Sequence, residues 1–201
     1  MTDIKTMIKN AFILFVITLV AGVLLGFVYQ VTKEPIAYQN QLAETKANQE
    51  VFSEAQGFEE IELDESALAA AGATGSIEIV SVKKALDAAG GTLGYVIQVS
   101  SSGYGDDIVF TMGITNDGVL NGISIISINE TPGLGMNAEK VLVPQFSSKT
   151  IFGNFEVTKN TATADSQIEA ISGATITSKA ITNGVNVGIA YWSNVLKGGQ
   201  N

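Results

Sequence analysis

The sequence predicts an α+β protein in which one transmembrane helix precedes an outer domain built from an antiparallel sheet covered by helices. Three observations support this prediction. Residues 10–32 form an uncharged, mostly apolar run. Apolar residues recur at every second position in three runs between Leu93 and Ile125, although Ile126 and Ile128 break the strict alternation, and apolar residues recur at helical spacing after Ser172. A period of two is typical of strands with one buried face, and a period of 3.6 is typical of amphipathic helices.

The apolar run is long enough to form a membrane-spanning helix. At ~1.5 Å rise per residue, residues 10–32 span ~35 Å, which exceeds the ~30 Å hydrocarbon core of a bilayer. A cleaved signal peptide would have an apolar stretch of ~7–15 residues followed by a small-x-small cleavage site, whereas Phe27–Val31 follows here. Lys5 and Lys9 precede the run and Lys33 follows it. This bias favours a cytoplasmic N-terminus and an extracytoplasmic location for the bulk of the chain.

Composition excludes several kinds of chemistry. The 201 residues include no cysteine and no histidine, which excludes thiolate-bound iron–sulfur clusters, Cys/His zinc sites and Ser-His-Asp triads. Any redox chemistry must therefore come from an organic cofactor. The net charge of −9 argues against nucleic acid as a partner.

The remaining chain divides into a linker and one domain. Residues 1–9 form a short cytoplasmic head before the transmembrane helix at 10–32. Residues 33–75, rich in Gln, Ala and Glu at the start, are interpreted as a juxtamembrane stalk that is helical after Pro35. The outer domain is predicted over residues 76–201.

The first half of the outer domain is predicted to be an antiparallel meander. Leu93, Tyr95, Ile97 and Val99 alternate with other residues, and similar runs follow from Ile108 and from Ile123. Asn116-Asp117-Gly118 between the second and third runs is a hairpin signal. Helices later in the chain are expected to cover the apolar face of this sheet.

Helices are predicted in the second half. A short helix is expected over residues 136–145, a strand over 151–157 and a loop over 158–166. The last helix is predicted to begin near Ser172 as its N-cap and to stop at Gly198 and Gly199. Its apolar positions are Ile176, Ala180, Ile181, Gly184, Val185, Gly188, Ile189 and Trp192.

Three short segments carry a resemblance to a known family. They are Gly103-Tyr104-Gly105, then Glu130-Thr131-Pro132-Gly133-Leu134-Gly135, then Ser172-Gly173-Ala174-Thr175-Ile176-Thr177-Ser178. In this order, with the hairpin between the first two, they resemble the motifs of the FMN-binding domain family over roughly residues 90–196. For the last segment alone, a simple helix cap would be the more common explanation.

The resemblance implies a covalent flavin. In that family, the threonine corresponding to Thr175 holds FMN through a phosphoester bond. A separate flavin transferase, which uses FAD and Mg²⁺, would attach it. Family members usually have Asp six positions before the acceptor, where this sequence has Glu169, so Glu169 is the residue implied for transferase recognition. The other residues implied to bind the cofactor are Tyr104, Glu130, Thr131, Leu134, Gly135, Ser172, Gly173, Ala174 and Ser178.

Within that family, one anchor and a single outer domain in about two hundred residues are similar to the G subunits of Rnf complexes. This resemblance implies an electron carrier on the outer membrane face, with no independent catalysis. The complex would move electrons between ferredoxin and NAD and couple this to Na⁺ or H⁺ transport. The implied partners are integral-membrane and iron–sulfur subunits. Alternatives are a free-standing membrane-anchored surface flavoprotein, a C-type subunit of the Na⁺-translocating NADH:quinone reductase, and an anchored binding domain with no redox role.

Overall fold

The computed structural model describes residues 4–197, so the predicted helix stop at Gly198 and Gly199 lies outside the described residues. The chain divides into two units, one up to Leu42 and one from Ala43 onwards. In chain order the helices and strands are α1 (Ile4–Val51), β1 (Gly57–Ile61), α2 (Glu65–Ala71), β2 (Ile77–Leu86), β3 (Thr92–Ser102), β4 (Asp107–Thr115), β5 (Val119–Ser127), α3 (Ala138–Val141), β6 (Lys149–Thr150), β7 (Glu156–Thr158), β8 (Gln167–Glu169) and α4 (Thr175–Tyr191).

The first unit consists of the larger part of α1. Helix α1 is 48 residues long and is apolar and long enough to cross a membrane. Its large apolar side chains up to Leu42 are exposed. The predicted apolar N-terminal helix is confirmed. Pro35 lies inside α1 and does not end it.

The second unit is organised by a six-stranded sheet. Strands β1 to β6 are neighbours in sequence order, and every neighbouring pair is antiparallel. The predicted meander is therefore confirmed, and the hairpin at residues 116–118 joins β4 to β5. Gly118 adopts φ +81° in that turn, a conformation that glycine reaches at no steric cost.

Helix α4 covers one face of the sheet. The alternating residues Ile97, Val99, Phe110 and Met112 are fully buried in the main core, together with Ile181 and Val185 of α4. Gly184 allows close approach, because a Cβ atom there would lie 2.9 Å from Cζ of Phe110. This packing confirms that a later helix covers the predicted face. Ile176 is one of the eight apolar positions predicted for the last helix, but it is 54% exposed and does not face the core.

The other face of the sheet is also covered, and the covering residues come from the segment predicted to be a stalk. Val51, Phe52 and Ala55 are buried against Ala85 and Val96. Asn48 Oδ1 accepts a hydrogen bond from Thr111 Oγ1. The compact unit begins at Ala43, whereas the sequence pattern suggests a linker up to residue 75. Only a few apolar residues of segment 43–55 face the sheet. The helical spacing of apolar residues is therefore weak in this segment, and the sequence pattern resembles a linker.

Two further elements in the predicted linker belong to the compact unit. Strand β1 pairs with β2 at the sheet edge, where Glu59 and Glu60 face Lys84 and Lys83. Glu59 and Glu60 interrupt the apolar residues of β1, so the sequence pattern does not indicate a strand. Helix α2 is capped by Asp64 at its N-terminus, and its C-cap, Gly72, has φ +87°.

The connection between the sheet and α4 is more broken than predicted. In place of one helix over 136–145, two 3₁₀ turns flank the four residues of α3. Only residues 156 and 157 of the predicted strand over 151–157 lie in a strand, namely β7, which extends to Thr158 and pairs in parallel with β8. The cap prediction is wrong: α4 begins at Thr175, Ala174 is its N-cap residue, and no side chain caps it. Ser172 lies two residues further upstream in an exposed turn.

Candidate functional site

A cleft of about 550 Å³ lies at the N-terminus of α4. Three segments that are distant in sequence form its walls: the β3–β4 loop, the loop after β5, and the turn that enters α4. These are the three segments that the motifs single out. The wall residues are Tyr104, Glu130, Thr131, Leu134, Gly135, Gly173, Ala174, Thr175, Ile176 and Thr177.

The turn before α4 is shaped by Ser178. Its Oγ accepts a hydrogen bond from the amide of Ile171 (3.0 Å) and donates one to the carbonyl of Ala174 (2.9 Å). Gly173 has φ +78°, so the chain reverses sharply at this point. The first amides of any α-helix have no intrahelical partner, and no side chain caps those of α4. The cleft therefore contains the positive end of a helix dipole, where anionic groups bind well.

Thr175 has the one unengaged hydroxyl among the Ser and Thr residues of α4. Thr177 Oγ1 donates to Glu130, Ser178 Oγ donates to Ala174, and Thr182 Oγ1 donates to Ser178. These three side chains are buried, whereas Thr175 is partly exposed in the cleft wall. Within residues 4–197, the structure records no hydrogen bond from Thr175 Oγ1. The Thr175 hydroxyl is thus partly exposed in the cleft and has no hydrogen-bond partner among the described residues.

Glu130 connects the three walls of the cleft. Its side chain is buried, with 6% of the residue exposed. Oε1 accepts hydrogen bonds from the amides of Tyr104 (2.7 Å) and Gly105 (3.2 Å). Oε2 accepts one from Thr177 Oγ1 (3.0 Å). One carboxylate therefore ties the β3–β4 loop and the first turn of α4 to the loop after β5.

Exposed apolar side chains border the cleft. Tyr104 is 71% exposed, Ile176 54% and Leu134 39%. Leu134 lies close to Gly173, because a Cβ atom on that glycine would be 3.0 Å from Leu134 Cδ2. Such a combination of apolar surface with a few polar groups is typical of ligand-binding clefts.

The structure brings most of the predicted site residues together and separates a few from them. Tyr104, Glu130, Thr131, Leu134, Gly135, Gly173, Ala174 and Thr175 all line the cleft. Ser178 points into the turn behind it. Ser172 and Glu169 line a neighbouring groove, which also contains Gly133 and Gln145.

Two cleft residues, Ile176 and Thr177, are not among the predicted site residues. The helical period assigns Ile176 to the core. Thr177 lies inside the last motif, but the motif gives it no role. Its bond to Glu130 spans 47 positions, and no local pattern reveals such a contact.

Comparison with known proteins supports an FMN-binding protein. A family model for the FMN-binding domain matches residues 103–190, which include the three wall segments. A model for the RnfG N-terminal region matches residues 1–51. The C subunit of the Na⁺-translocating NADH-quinone reductase from Parabacteroides distasonis shares the fold, with a TM-score of 0.58 at 19% identity over 84% of this chain and 98% of that chain.

Similar sequences extend along the whole chain. The G subunit of the Na⁺-translocating ferredoxin:NAD⁺ oxidoreductase complex from Acetobacterium woodii is 38% identical, over 97% of this chain and 96% of that protein. The G subunit of the proton-translocating complex from Clostridium ljungdahlii is 44% identical over 47% of this chain and 50% of that protein. The G subunit of the ion-translocating oxidoreductase complex from Methanosarcina acetivorans is 28% identical over 96% of this chain and 98% of that protein.

The family model, together with the fold, thus defines an FMN-binding protein with an apolar N-terminal helix. The chain belongs to the family of G subunits from ion-translocating ferredoxin:NAD⁺ oxidoreductase (Rnf) complexes. Membership in this family and the long apolar helix indicate a membrane protein.

Proposed function

We propose that this chain carries FMN covalently, as a phosphoester on Thr175, and serves as an electron-carrier subunit of an Rnf complex. The observation that carries the proposal is the free hydroxyl of Thr175 at the uncapped start of α4. The other Ser and Thr hydroxyls of that helix already donate hydrogen bonds to protein groups.

The cleft residues suit the parts of FMN. The free amides at the start of α4 provide donors for the phosphate. Gly173 removes a side chain where a ribityl group would pass close to the backbone. Tyr104, Leu134 and Ile176 offer apolar surface to an aromatic ring, and Thr131 adds a hydroxyl. When bound, FMN accepts and releases electrons at its ring, and the protein contributes position and electrostatics.

The residues of the chain favour a carrier over a catalyst. With no histidine or cysteine, the usual general base and thiol nucleophile are absent. Because its relatives are G subunits of ion-translocating oxidoreductase complexes, the proposed partners are the integral-membrane and iron–sulfur subunits of such a complex. A flavin transferase would attach FMN, and Glu169 would help it recognise the site, because this carboxylate is exposed in the groove beside Ser172.

We also propose that the FMN domain lies outside the cytoplasm. Lys5 and Lys9 precede the apolar run, and Lys33 follows it beside Glu34, a bias that favours a cytoplasmic N-terminus. A protease added to spheroplasts should then remove the domain. Full protection in sealed spheroplasts, with digestion after lysis, would contradict this orientation.

Substitution of the acceptor tests the covalent bond. We expect Thr175→Val to abolish the yellow fluorescence that stays with the protein band after denaturing electrophoresis, and to reduce the intact mass to that of the polypeptide. Thr175→Ser keeps a hydroxyl at the same place and should retain FMN. Thr182→Val removes a neighbouring hydroxyl that is already engaged and should also retain it. Fluorescence in the Thr175→Val band would exclude Thr175 as the attachment site.

Copurification separates the carrier from its alternatives. A member of an Rnf complex should be recovered from detergent-solubilised membranes together with several integral-membrane and iron–sulfur proteins. Recovery of the flavinylated chain by itself under mild conditions would favour a free-standing surface flavoprotein. Recovery with quinone-reductase subunits would favour a C-type subunit.

A further inference from the structure

We propose that Glu130 is a positioning residue of the FMN cleft and that its negative charge keeps the reduction potential of the bound FMN low. This inference rests on the proposed function, because it concerns FMN held at Thr175. It adds a specific role for one buried carboxylate.

The first observation is the set of partners around Glu130. Both oxygens accept hydrogen bonds. Two of the three donors belong to cleft residues, the amide of Tyr104 and the hydroxyl of Thr177, and the third is the amide of Gly105, next to Tyr104. The donors come from segments 25 to 47 positions away. The β3–β4 loop and the first turn of α4 are thereby both held by the Glu130 side chain.

The second observation is the space left for this carboxylate. A Cβ atom at Gly135 would lie 2.7 Å from Cβ and from Oε2 of Glu130, and a Cβ atom at Gly103 would overlap Oε1. Glycines on two different loops therefore make room for the side chain. A glutamate used only for solubility needs no such cavity.

The third observation concerns electrostatics. Glu130 is 6% exposed and lines the cleft, and its three protein partners are neutral donors. In the described part of the chain it forms no salt bridge. A buried charge is screened much less than an exposed one. FMN held in the cleft would gain negative charge on reduction, and the fixed carboxylate of Glu130 in the cleft wall would oppose that gain.

Two substitutions separate charge from position. Glu130→Gln keeps the size and one acceptor oxygen for the amides of Tyr104 and Gly105 but removes the charge, and its NH2 group would donate to Thr177 Oγ1 instead of accepting from it. Glu130→Asp keeps the charge but is one methylene too short to reach all three partners. Glu139→Gln is the matched control, since Glu139 is exposed on α3 and lies outside the cleft wall.

The experiment uses the full-length, flavinylated chain in detergent. Covalent FMN is first confirmed by in-gel fluorescence, and its midpoint potential is then measured by spectroelectrochemical titration. We expect a higher potential in Glu130→Gln than in wild type, and unchanged potentials in Glu130→Asp and Glu139→Gln. Hydrogen exchange at the amides of Tyr104 and Gly105 should be faster in Glu130→Asp and unchanged in Glu130→Gln.

The outcomes distinguish this inference from the proposed function. A loaded Glu130→Gln protein with the wild-type potential would overturn the role of the charge, and unchanged exchange in Glu130→Asp would overturn the positioning role. If wild type carries no FMN, the proposed function fails, while the exchange measurement still tests positioning. If Glu130→Gln does not load, redox-difference infrared spectra of wild type and Glu130→Asp decide. A carboxylate band that responds to reduction and shifts in the Asp variant is expected, and its absence would overturn the proposal.

Discussion

Gly135 has no room for even the smallest side chain. A Cβ atom there would lie 2.7 Å from Glu130 Oε2 and 2.7 Å from Thr177 Oγ1. We expect Gly135→Ala to destabilise the protein by about 1–3 kcal/mol, which corresponds to roughly 2–4 °C in the melting temperature per kcal/mol for a chain of this size. Differential scanning fluorimetry in detergent measures this effect.

Gly57 provides the control for that substitution. It lies in β1, its φ is not positive, and a Cβ atom added there would meet no other atom within 4 Å. Gly57→Ala should leave the melting temperature near that of wild type. Equal effects of the two substitutions would show that space around Gly135 is not the limiting factor.

At the level of single residues, the sequence predicts the cleft residues that lie within a continuous motif. It does not predict contacts between residues that are distant in sequence. The place of Thr175 in the cleft wall is predictable because this residue lies within a continuous, specific motif. The contacts of Glu130 are made with donors from two other segments, and no local pattern reveals them. Ile176 fits the helical period of the buried residues, but it is exposed in the cleft wall. Ser172 has the chemistry of an N-cap, but α4 starts three residues later at Thr175.

Among the elements, α2 depends on one carboxylate. Asp64 Oδ1 accepts hydrogen bonds from the Ser66 hydroxyl and from the amides of Ala67 and Ser66, and these bonds hold the pKa of Asp64 below its ordinary value of 3.8. A carboxyl with a lowered folded pKa stabilises the fold at higher pH, and this contribution is lost as the pH falls through the folded pKa.

The cap therefore predicts a pH-dependent difference between variants. Asp64→Asn should melt at a lower temperature than wild type at pH 7, and the gap should close as the pH falls below 3.8. Thermal unfolding of both proteins across that range measures the gap. Glu62 is an exposed neighbour that forms no hydrogen bond or ion pair within residues 4–197, so Glu62→Gln should show no gap. A gap for Asp64→Asn that persists at low pH would exclude the ionised cap as its cause.

Helix α4 needs Gly184 to lie close to the sheet. A Cβ atom at Gly184 would be 2.9 Å from Phe110 Cζ and 3.2 Å from Val99 Cγ1. Gly184→Leu should cost about 3 kcal/mol or more, because it forces a large side chain into a filled core. Asn183→Leu makes the adjacent change on the exposed side and should leave stability nearly unchanged. Chemical denaturation compares them, and equal midpoints would refute close packing at Gly184.

Elements with a local signal are predictable, whereas elements held by their neighbours are missed. Asn116-Asp117-Gly118 encodes its hairpin in three residues, so the prediction of the β4–β5 turn is correct. Strand β1 is five residues long and alternates weakly, and it exists because β2 offers an edge. Residues 43–55 contribute few apolar side chains, and these face a sheet that is not evident in their own segment.

For the whole molecule, the structure predicts where the chain can be cut. A fragment that begins at Ala43 keeps every residue of the compact unit and should unfold cooperatively. A fragment that begins at residue 76 loses β1, α2 and the buried side chains of Val51 and Phe52. Burial of each of these two side chains contributes roughly 1.5–3 kcal/mol, so this fragment should not unfold cooperatively. Circular dichroism on heating tests both, and equal cooperative transitions would contradict a domain boundary at residue 43.

The order of the strands has a consequence for biogenesis. Strands β1 to β5 pair with chain neighbours, so this part of the sheet can form while later residues are still being synthesised, since contacts between nearby segments form fastest. The cleft needs residues from Tyr104 to Thr177 and is complete only after α4 has docked. If FMN is attached at Thr175 as proposed, an attaching enzyme that reads the finished cleft would act after translation has passed α4, and chains stalled before that point would escape modification.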